Sequence, residues 1–223
     1  MGKNIRRITY GGMVIKTKIE WADYSINPIK GLCRNDCWYC YAKRMYKRFK
    51  WNPEIRIDEN EFDKLKTIKE PSKIFVCSTM DLFGDWICDD WIYYVFLKIK
   101  QYPQHTFIIL SKFPERMVHW KFPDNCWIGT SITGIEENQP YRHSAISGMD
   151  NIKFISYEPL LGRPQSLTNY LSIDWIIVGG LTPKPVHKTE WVEKILICAK
   201  LAKVPVFLKD NLRWHIKIQE FPK

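Results

Sequence analysis

The sequence places three thiols within eight residues. In the stretch GLCRNDCWYCYAKR, Cys33, Cys37 and Cys40 follow a CxxxCxxC spacing. A structural zinc site needs four protein ligands, and Cys77 and Cys88 could complete one here only if folding brought them close. A [4Fe-4S] cluster can be held by three thiolates, which leaves one iron open for a substrate or cofactor. The spacing therefore favours such a cluster, with zinc as the alternative.

The composition predicts a globular protein without a membrane span. The chain has 223 residues, of which 45% are hydrophobic and 26% are charged, so we expect one domain over residues 1–223, with residues 1–17 as an N-terminal extension. The sequence contains no apolar run long enough to cross a bilayer and no secretory signal at its start. We therefore expect a cytoplasmic protein with no membrane partner. In that compartment the seven cysteines stay reduced and available as ligands.

An excess of basic residues predicts an anionic partner. The chain has 34 Lys and Arg against 24 Asp and Glu, a formal net charge of +10 at pH 7, and nucleic acid is the commonest partner of such proteins. Part of the excess follows the cysteines directly, at helical spacing, as Lys43, Arg44, Lys47, Arg48 and Lys50. These residues form either a nucleic-acid-binding surface or an ordinary solvated helix face.

Alternating strand and helix patterns predict a parallel sheet. Apolar runs typical of buried strands cover residues 73–78, 106–111, 126–131, 152–157, 174–180 and 204–209, with an earlier strand within 17–26. Helical periodicity covers 88–102 and 189–203, the second with Thr189 as N-cap, and 131–144 is expected to be a long loop. The chain has no Gly-rich dinucleotide-binding fingerprint. We therefore expect an α/β fold, a partial TIM-like (β/α) barrel of about six to seven parallel strands.

In a barrel of this kind, the loops at the carboxyl ends of the strands build the site. Polar groups follow every predicted strand. In chain order they are the three cysteines, Ser78 to Asp81, Ser111 and Lys112, Ser131 and Thr133, Glu158, Gly179 and Gly180, and Lys209 and Asp210. We expect these groups to converge at one end of the barrel.

The cysteine motif resembles the signature of the radical S-adenosylmethionine (radical SAM) superfamily. The resemblance rests on the CxxxCxxC spacing, on Tyr39 as the aromatic residue before the third cysteine, and on the position after the first strand of a predicted barrel. The wider chain is similar to a phage-associated family of undetermined activity that resembles a shortened radical SAM barrel. That second resemblance covers most of the chain through the stretches IEWADYSINPIKGLC, CWYCYAKRM, STMDLFG, SYEPLLG and DWIIVGG.

The superfamily resemblance implies a mechanism and two cofactors, a [4Fe-4S] cluster and S-adenosyl-L-methionine. The open iron would bind S-adenosylmethionine, and an electron from a ferredoxin- or flavodoxin-type reductase would cleave it to methionine and a 5′-deoxyadenosyl radical. That radical would take a hydrogen atom from the substrate. The protein would orient the cofactors and shield the radical.

The same resemblance implies ligands for both cofactors. Cys33, Cys37 and Cys40 would bind the cluster, and Tyr39 would lie near the adenine. The superfamily commonly has a Gly-Gly-Glu segment after the second strand to hold the methionine ammonium, and here STMDLFG stands in its place. The ammonium would then bind the carbonyls of Ser78, Thr79 and Met80 or the carboxylate of Asp81, although Asp81 could instead be a helix N-cap.

Four further positions are candidate cofactor or catalytic residues. Ser131 follows the fourth strand, where the superfamily often binds the ribose, although its hydroxyl could equally satisfy local backbone. Glu158 would bind cofactor or substrate, or form an ion pair with Arg142, Arg163 or Lys209. Lys112 and Lys209 lie at the predicted mouth and suit an anionic substrate, so Glu158, Lys112 and Lys209 are the candidate catalytic residues.

Three functions remain in competition at this point. The first is a radical SAM enzyme that modifies a nucleic acid or nucleotide, because basic and aromatic residues suit phosphates and bases. The second is the same chemistry on a small metabolite or a peptide. The third is a zinc-stabilised nucleic-acid-binding protein without catalysis.

Overall fold

A computed structural model describes residues 16–136, 139–165, 170 and 172–223. Seven strands form one parallel sheet in the order β1-β4-β5-β6-β7-β8-β9, and β2 and β3 form a small antiparallel pair. The strands are β1 Tyr24–Ile26, β2 Ile29–Lys30, β3 Arg56–Ile57, β4 Lys73–Val76, β5 Thr106–Ser111, β6 Cys126–Ser131, β7 Ile152–Tyr157, β8 Trp175–Val178 and β9 Val206–Leu208. The parallel sheet curls into a half-barrel, so the predicted α/β partial barrel is confirmed.

Helices alternate with the strands and cover the outer face of the sheet. They are α1 Tyr41–Phe49, α2 Asp89–Lys100, α3 Pro114–Met117, α4 Gln139–Ala145 and α5 Thr189–Ala202, with 3-10 turns at Glu59–Thr67 and Asp210–Leu212. Apolar residues at helical spacing in α2 and α5, such as Ile92, Phe96 and Ile195, pack against the strands. None of the helices in the described ranges is long and apolar enough to cross a membrane.

Three details of the predicted elements were wrong. Helix α5 begins at Thr189 with Lys188 as its N-cap residue, so Thr189 is the first helical residue. No helix begins at Asp81, because α2 begins at Asp89. The expected long loop over 131–144 contains α4 in its second half. The predicted N-terminal extension lies outside the described residues for positions 1–15.

The inner face of the sheet carries an aromatic layer at the amino ends of the strands. The other face is covered by helices, so the cluster formed by Trp21, Phe75, Ile108, Phe154, Trp175, Ile177 and Phe207 fills the barrel interior. Gly129 makes room for one of these rings, since a Cβ there would lie 2.4 Å from the Phe154 side chain. The interior is therefore packed shut at one end, and polar groups collect at the other.

The segments before β1 and after β9 bridge the two edges of the half-barrel. Before β1, the Glu20 carboxylate accepts a hydrogen bond of 2.9 Å from the amide of Asp210, which follows β9. The C-terminal segment pairs antiparallel with β9, and the Phe221 ring stacks on Trp175 at 5.3 Å. These contacts fill part of the gap that a complete barrel would close with an eighth strand.

Candidate functional site

The three cysteines lie on a loop between β2 and α1, at the carboxyl edge of the sheet. Gly31 opens this loop with φ of 119°, where a Cβ would lie 2.6 Å from the Glu54 carbonyl oxygen, so only glycine fits. Its amide donates a hydrogen bond of 2.8 Å to the Tyr46 hydroxyl on α1. Cys40 closes the loop as the N-cap residue of α1. The loop is therefore fixed at both ends by the helix that follows it.

N–H groups lie beside all three sulfurs. The backbone amides of Asn35 and Asp81 act to lower the pKa of Cys33, but burial outweighs them and raises that pKa above its ordinary value. The Asn35 side-chain amide donates to Cys37 at 3.3 Å, and the Lys43 amide donates to Cys40 at 3.5 Å. Donors of this kind, together with the N-terminus of α1, stabilise thiolates and the sulfurs of bound clusters.

The donor set fits a cluster with three thiolate ligands. All three thiols are partly exposed. Burial raises the pKa of Cys77 to about 12, which keeps that thiol protonated, and Cys88 is exposed at the start of α2. Within the described ranges, no three His, Cys, Asp or Glu side chains are placed to hold one metal ion. A cubane cluster does not require the three sulfurs to meet at one metal ion, since each thiolate binds a different iron.

Lys112 links the cysteine loop to the end of β6. Its ammonium donates a hydrogen bond of 2.9 Å to the Ser131 hydroxyl and lies 5.5 Å from the centre of the Tyr39 ring. Burial lowers the pKa of Lys112, while the nearby Cys37 thiol acts in the opposite direction. Burial and Cys37 both raise the pKa of Tyr39. The candidate residues Tyr39, Lys112 and Ser131 are therefore brought together beside Cys37.

Asp81 ties the ends of β4 and β5 together. One carboxylate oxygen accepts from the Ser111 hydroxyl at 2.6 Å and from the Phe83 amide at 3.1 Å, and the other accepts from the Lys112 amide at 2.9 Å. Burial raises the pKa of Asp81, against the effect of these donors. Its bond to the amide two residues on is a local turn. Asp81 thus positions Lys112, and both of its oxygens already have donors.

The Ser78 to Met80 turn is held by a residue that the sequence did not single out. The Asn27 side-chain oxygen accepts hydrogen bonds from the Ser78 hydroxyl at 3.1 Å and from the Thr79 amide and hydroxyl at 3.0 and 3.1 Å. The Tyr41 hydroxyl donates to the Ser78 carbonyl, and Met80 is buried. Because Tyr41 follows Cys40, this bond joins the cysteine loop to the end of β4.

Glu61 holds the backbone of Asn27 in place through a hydrogen bond. Its carboxylate accepts hydrogen bonds of 2.9 Å from the Asn27 amide, 2.6 Å from the Lys30 ammonium and 2.6 Å from the Lys64 ammonium. Burial would raise the pKa of Glu61, but these three donors outweigh it and hold that pKa below its ordinary value. A carboxylate with several donors was not recognisable from the sequence, because its partners come from different elements.

Glu158 and Lys209 form an ion pair at the ends of β7 and β9. The strand between them contributes Gly179, where a Cβ would lie 3.1 Å from both side chains. Of the partners considered for Glu158, the structure selects Lys209. Arg142 instead donates a hydrogen bond of 3.1 Å to the Ser131 carbonyl and lies 4.0 Å from Glu136.

Two further polar groups at this end were missed by sequence reasoning. The Glu136 carboxylate accepts from the Thr133 amide at 2.9 Å and the Gly134 amide at 3.0 Å, which shapes the loop after β6. Ser156 is the register partner of Ser131 on the neighbouring strand. Its hydroxyl is buried and has no hydrogen-bond partner within the described part of the chain.

The candidate residues thus form two groups at the carboxyl edge of the sheet. One group, around the cysteine loop, contains Tyr39, Lys112 and Ser131, with Asp81 beneath them and the Ser78 turn attached through Tyr41. The other is the Glu158–Lys209 ion pair. The first group places one positive charge, Lys112, near Cys37 and N–H donors on Cys37 and Cys40, and both suit a bound anionic cluster.

Solved structures with a similar fold belong to spore photoproduct lyase. The enzyme complexed with dinucleoside spore photoproduct matches with a TM-score of 0.55 and 11% identity over 90% of this chain and 79% of that chain. A double mutant with bound AdoMet and dinucleoside spore photoproduct matches with a TM-score of 0.55 and 13% identity, over 86% and 65% of the two chains. At such identities the likeness shows the fold alone.

Sequence comparison places the chain in a family. A search of curated protein sequences finds no match. The family model described as "Protein of unknown function (DUF5131)" matches residues 16–221, a range that includes every strand of the sheet and the whole cysteine loop. Since the match extends over nearly the full chain, this protein belongs to the DUF5131 family.

Proposed function

We propose that this protein is a radical SAM enzyme in which Cys33, Cys37 and Cys40 hold a [4Fe-4S] cluster and S-adenosylmethionine binds beside it. Held by these three thiolates, a cluster would supply the electron for reductive cleavage of S-adenosylmethionine, and through it the abstraction of a hydrogen atom from the substrate. The observation that carries the proposal is the CxxxCxxC loop at the carboxyl edge of a parallel half-barrel, with N–H donors on the Cys37 and Cys40 sulfurs. The bound AdoMet in a structure of similar fold supports it.

The residues around the loop have definite tasks in this proposal. Lys112 places a positive charge near Cys37, which would offset the negative charge of a bound cluster. The Ser131 hydroxyl, held by Lys112, is oriented to bind the ribose. The Tyr39 ring lies beside both and would contact the adenine.

The amino acid part of S-adenosylmethionine would bind at the Ser78 turn. The carbonyls of Thr79 and Met80 are the acceptors that we assign to its ammonium, because the Ser78 carbonyl already accepts from Tyr41 and the Asp81 oxygens already accept from three donors. Asp81 then acts by holding Lys112 and Ser111 in place.

The Glu158–Lys209 pair lies where a substrate would enter the half-barrel. Lys209 would bind an anionic group of the substrate, and Glu158 would orient the Lys209 ammonium or accept a proton from the substrate. Lys112 remains the third candidate catalytic residue, since its ammonium lies between Tyr39 and Ser131.

The substrate class that we propose is a nucleic acid or nucleotide. The net charge of +10 and the dinucleoside bound in the structures of similar fold support this choice. The same chemistry on a small metabolite or a peptide is the alternative. Strong weakening of substrate binding between low and moderate salt favours the first, because release of counterions from phosphates makes binding depend on salt. A cytoplasmic location and a ferredoxin- or flavodoxin-type electron donor complete the proposal.

Anaerobic reconstitution with iron and sulfide tests this function directly. We expect a brown protein with about four irons per chain, which forms 5′-deoxyadenosine from S-adenosylmethionine in the presence of dithionite. Cys37→Ala should lose the iron. Cys88→Ala is the matched control, because Cys88 is an exposed thiol outside the motif, and it should keep the iron.

Two results would contradict the proposal. A colourless protein with one bound zinc would favour the zinc-stabilised nucleic-acid-binding protein. Full iron loading without formation of 5′-deoxyadenosine would count heavily against the enzymatic function.

A further inference from the structure

A basic surface lies directly beside the cysteine loop, at the open end of the half-barrel. We call it the mouth surface and define it by six exposed side chains on α1 and on the segments after β8 and β9. These are Lys43, Arg44, Lys47, Arg48, Lys184 and Arg213. Helix α1 carries no acidic residue among its nine.

Hydrogen bonds make the mouth surface continuous across the barrel opening. The Arg44 guanidinium donates to the Thr182 carbonyl at 3.5 Å, which joins α1 to the loop after β8. The Arg213 guanidinium donates to the neighbouring Pro183 carbonyl at 3.2 Å, which joins that loop to the segment after β9. Basic residues that are far apart in sequence therefore form one strip.

Most of this positive charge is uncompensated. Lys43 forms an ion pair with Asp36, but within the described residues Lys47, Arg48 and Lys184 have no carboxylate within ion-pair distance. The charges at positions 43, 44, 47 and 48 repel one another at helical spacings of three and four residues. Such a concentration of uncompensated positive charge attracts polyanions.

Exposed aromatic rings lie at the inner border of the strip. Trp38 is 69% exposed although it stands between two cysteines of the loop, and Tyr41 is 47% exposed. Trp38 contacts Tyr39 in a T-shaped arrangement at 5.5 Å, and most of its indole surface remains accessible to a stacking partner. Such rings bind unpaired bases, because every base presents a flat face to stack on.

We propose that the mouth surface binds a single strand of nucleic acid, with phosphates on the basic side chains and one base stacked on Trp38. This inference rests on the proposed function and narrows its substrate from a nucleic acid or nucleotide to a polynucleotide strand. A single strand suits the geometry better than a duplex, because a base must leave the stack to reach both Trp38 and the site below it. An acidic protein would match the positive charge, but its binding would not explain the exposed Trp38 indole at the opening of the half-barrel.

Fluorescence anisotropy tests this inference on the reconstituted protein. The probes are a fluorescein-labelled 20-nucleotide single-stranded DNA, the corresponding RNA and the corresponding duplex DNA. We expect at least one single strand to bind more tightly than the duplex. With four to six phosphate contacts, the logarithm of the affinity should fall with the logarithm of the salt concentration with a slope of about −3 to −4.

Two charge-reversal variants locate the binding surface. Lys47→Glu with Arg48→Glu should weaken binding of the single strand by about tenfold or more and flatten the salt slope by about 1.4. The control is Lys194→Glu with Lys200→Glu, which makes the same change of net charge at two exposed positions of α5. The control variant should bind the single strand at least fivefold more tightly than the first variant does. Equal losses in the two variants would overturn the inference.

A third variant separates base stacking from charge. Trp38→Ala should weaken binding of the oligonucleotide by about fivefold or more, but it should leave binding of inorganic polyphosphate unchanged. Equal competition by poly-L-glutamate, tighter binding of the duplex, or no effect of Trp38→Ala on the oligonucleotide would each overturn the inference. Iron content and 5′-deoxyadenosine are measured separately, so a failure of the proposed function remains distinguishable from a failure of this surface.

Discussion

Replacing Lys209 by Met is expected to lower the free energy of unfolding by about 2 kcal/mol, because it leaves the Glu158 carboxylate without its partner. Exposed ion pairs contribute about 0–1 kcal/mol, whereas removal of one member of a buried pair costs about 3–5 kcal/mol. The Lys209 and Glu158 side chains are 13% and 25% exposed, between those limits. Methionine keeps the apolar stem that packs over Gly179.

A double-mutant cycle isolates the energy of the pair itself. Lys209→Met, Glu158→Gln and the double variant are unfolded with urea at pH 7, and circular dichroism follows the transition. We expect a coupling energy of about 1–2 kcal/mol, since residues in direct contact are not additive. The loss of unfolding free energy in the double variant should therefore be smaller than the sum of the losses in the two single variants.

An exposed ion pair provides the control. Lys188 and Glu190 lie 3.9 Å apart with side chains 66% and 70% exposed, and the same substitutions there should show coupling below about 0.5 kcal/mol. Coupling just as weak between Glu158 and Lys209 would refute our reasoning. The two groups would then not be held by each other in solution, and the pair could not orient the Lys209 ammonium.

Three further outcomes follow from the same structure. Asn27→Ala should lower the free energy of unfolding by about 1–3 kcal/mol, with faster hydrogen exchange at the Thr79 amide, whereas Asn27→Asp, which keeps the acceptor, should lose less. The pKa of Glu61 is held below its ordinary value of 4.5. The contribution of Glu61 to stability is therefore present above about pH 4.5 and is lost as the pH falls through the folded-state pKa. Glu61→Gln should remove this part of the acid sensitivity, as measured by urea unfolding at a series of pH values. Phe221→Ala removes the ring that stacks on Trp175 and should lower the free energy of unfolding by about 2 kcal/mol. Calorimetry should then show a fall in Tm of about 4–8 °C. A Tm within 1 °C of the parent protein would contradict a structural role for the C-terminal segment.

The fold could be predicted from the sequence wherever the local pattern was long and strong. The runs 106–111, 126–131 and 152–157 became β5, β6 and β7 with the expected bounds, because six-residue runs rich in apolar and β-branched residues suit a strand covered on both faces. Strands β2 and β3 have two residues each, too few to show any period. They pair across a connection that contains the cysteine loop and α1, so a local pattern could not reveal them.

The candidate site was predicted only as a set of strand ends. The three cysteines are adjacent in sequence, so their spacing alone places them on one loop. The partners of the other groups could not be read in this way. Asn27 was not singled out, although it holds the Ser78 turn, because an asparagine after a strand is usually an ordinary turn residue. Nothing in the sequence distinguishes Ser156, whose hydroxyl has no partner among the described residues, from other residues of a buried strand.

The sequence by itself determined the elements and the cysteine motif, since these depend on neighbours within a few residues. Tertiary structure decided which polar groups meet. Asp81 reaches Ser111 across 30 residues, Lys209 reaches Glu158 across 51, and Arg44 reaches Thr182 across 138. Such contacts depend on strand order, on curl and on the closure of the sheet edges by the chain ends. A local pattern contains none of that information, because hydrophobic burial fixes the face of each element but not which charged neighbour it will have.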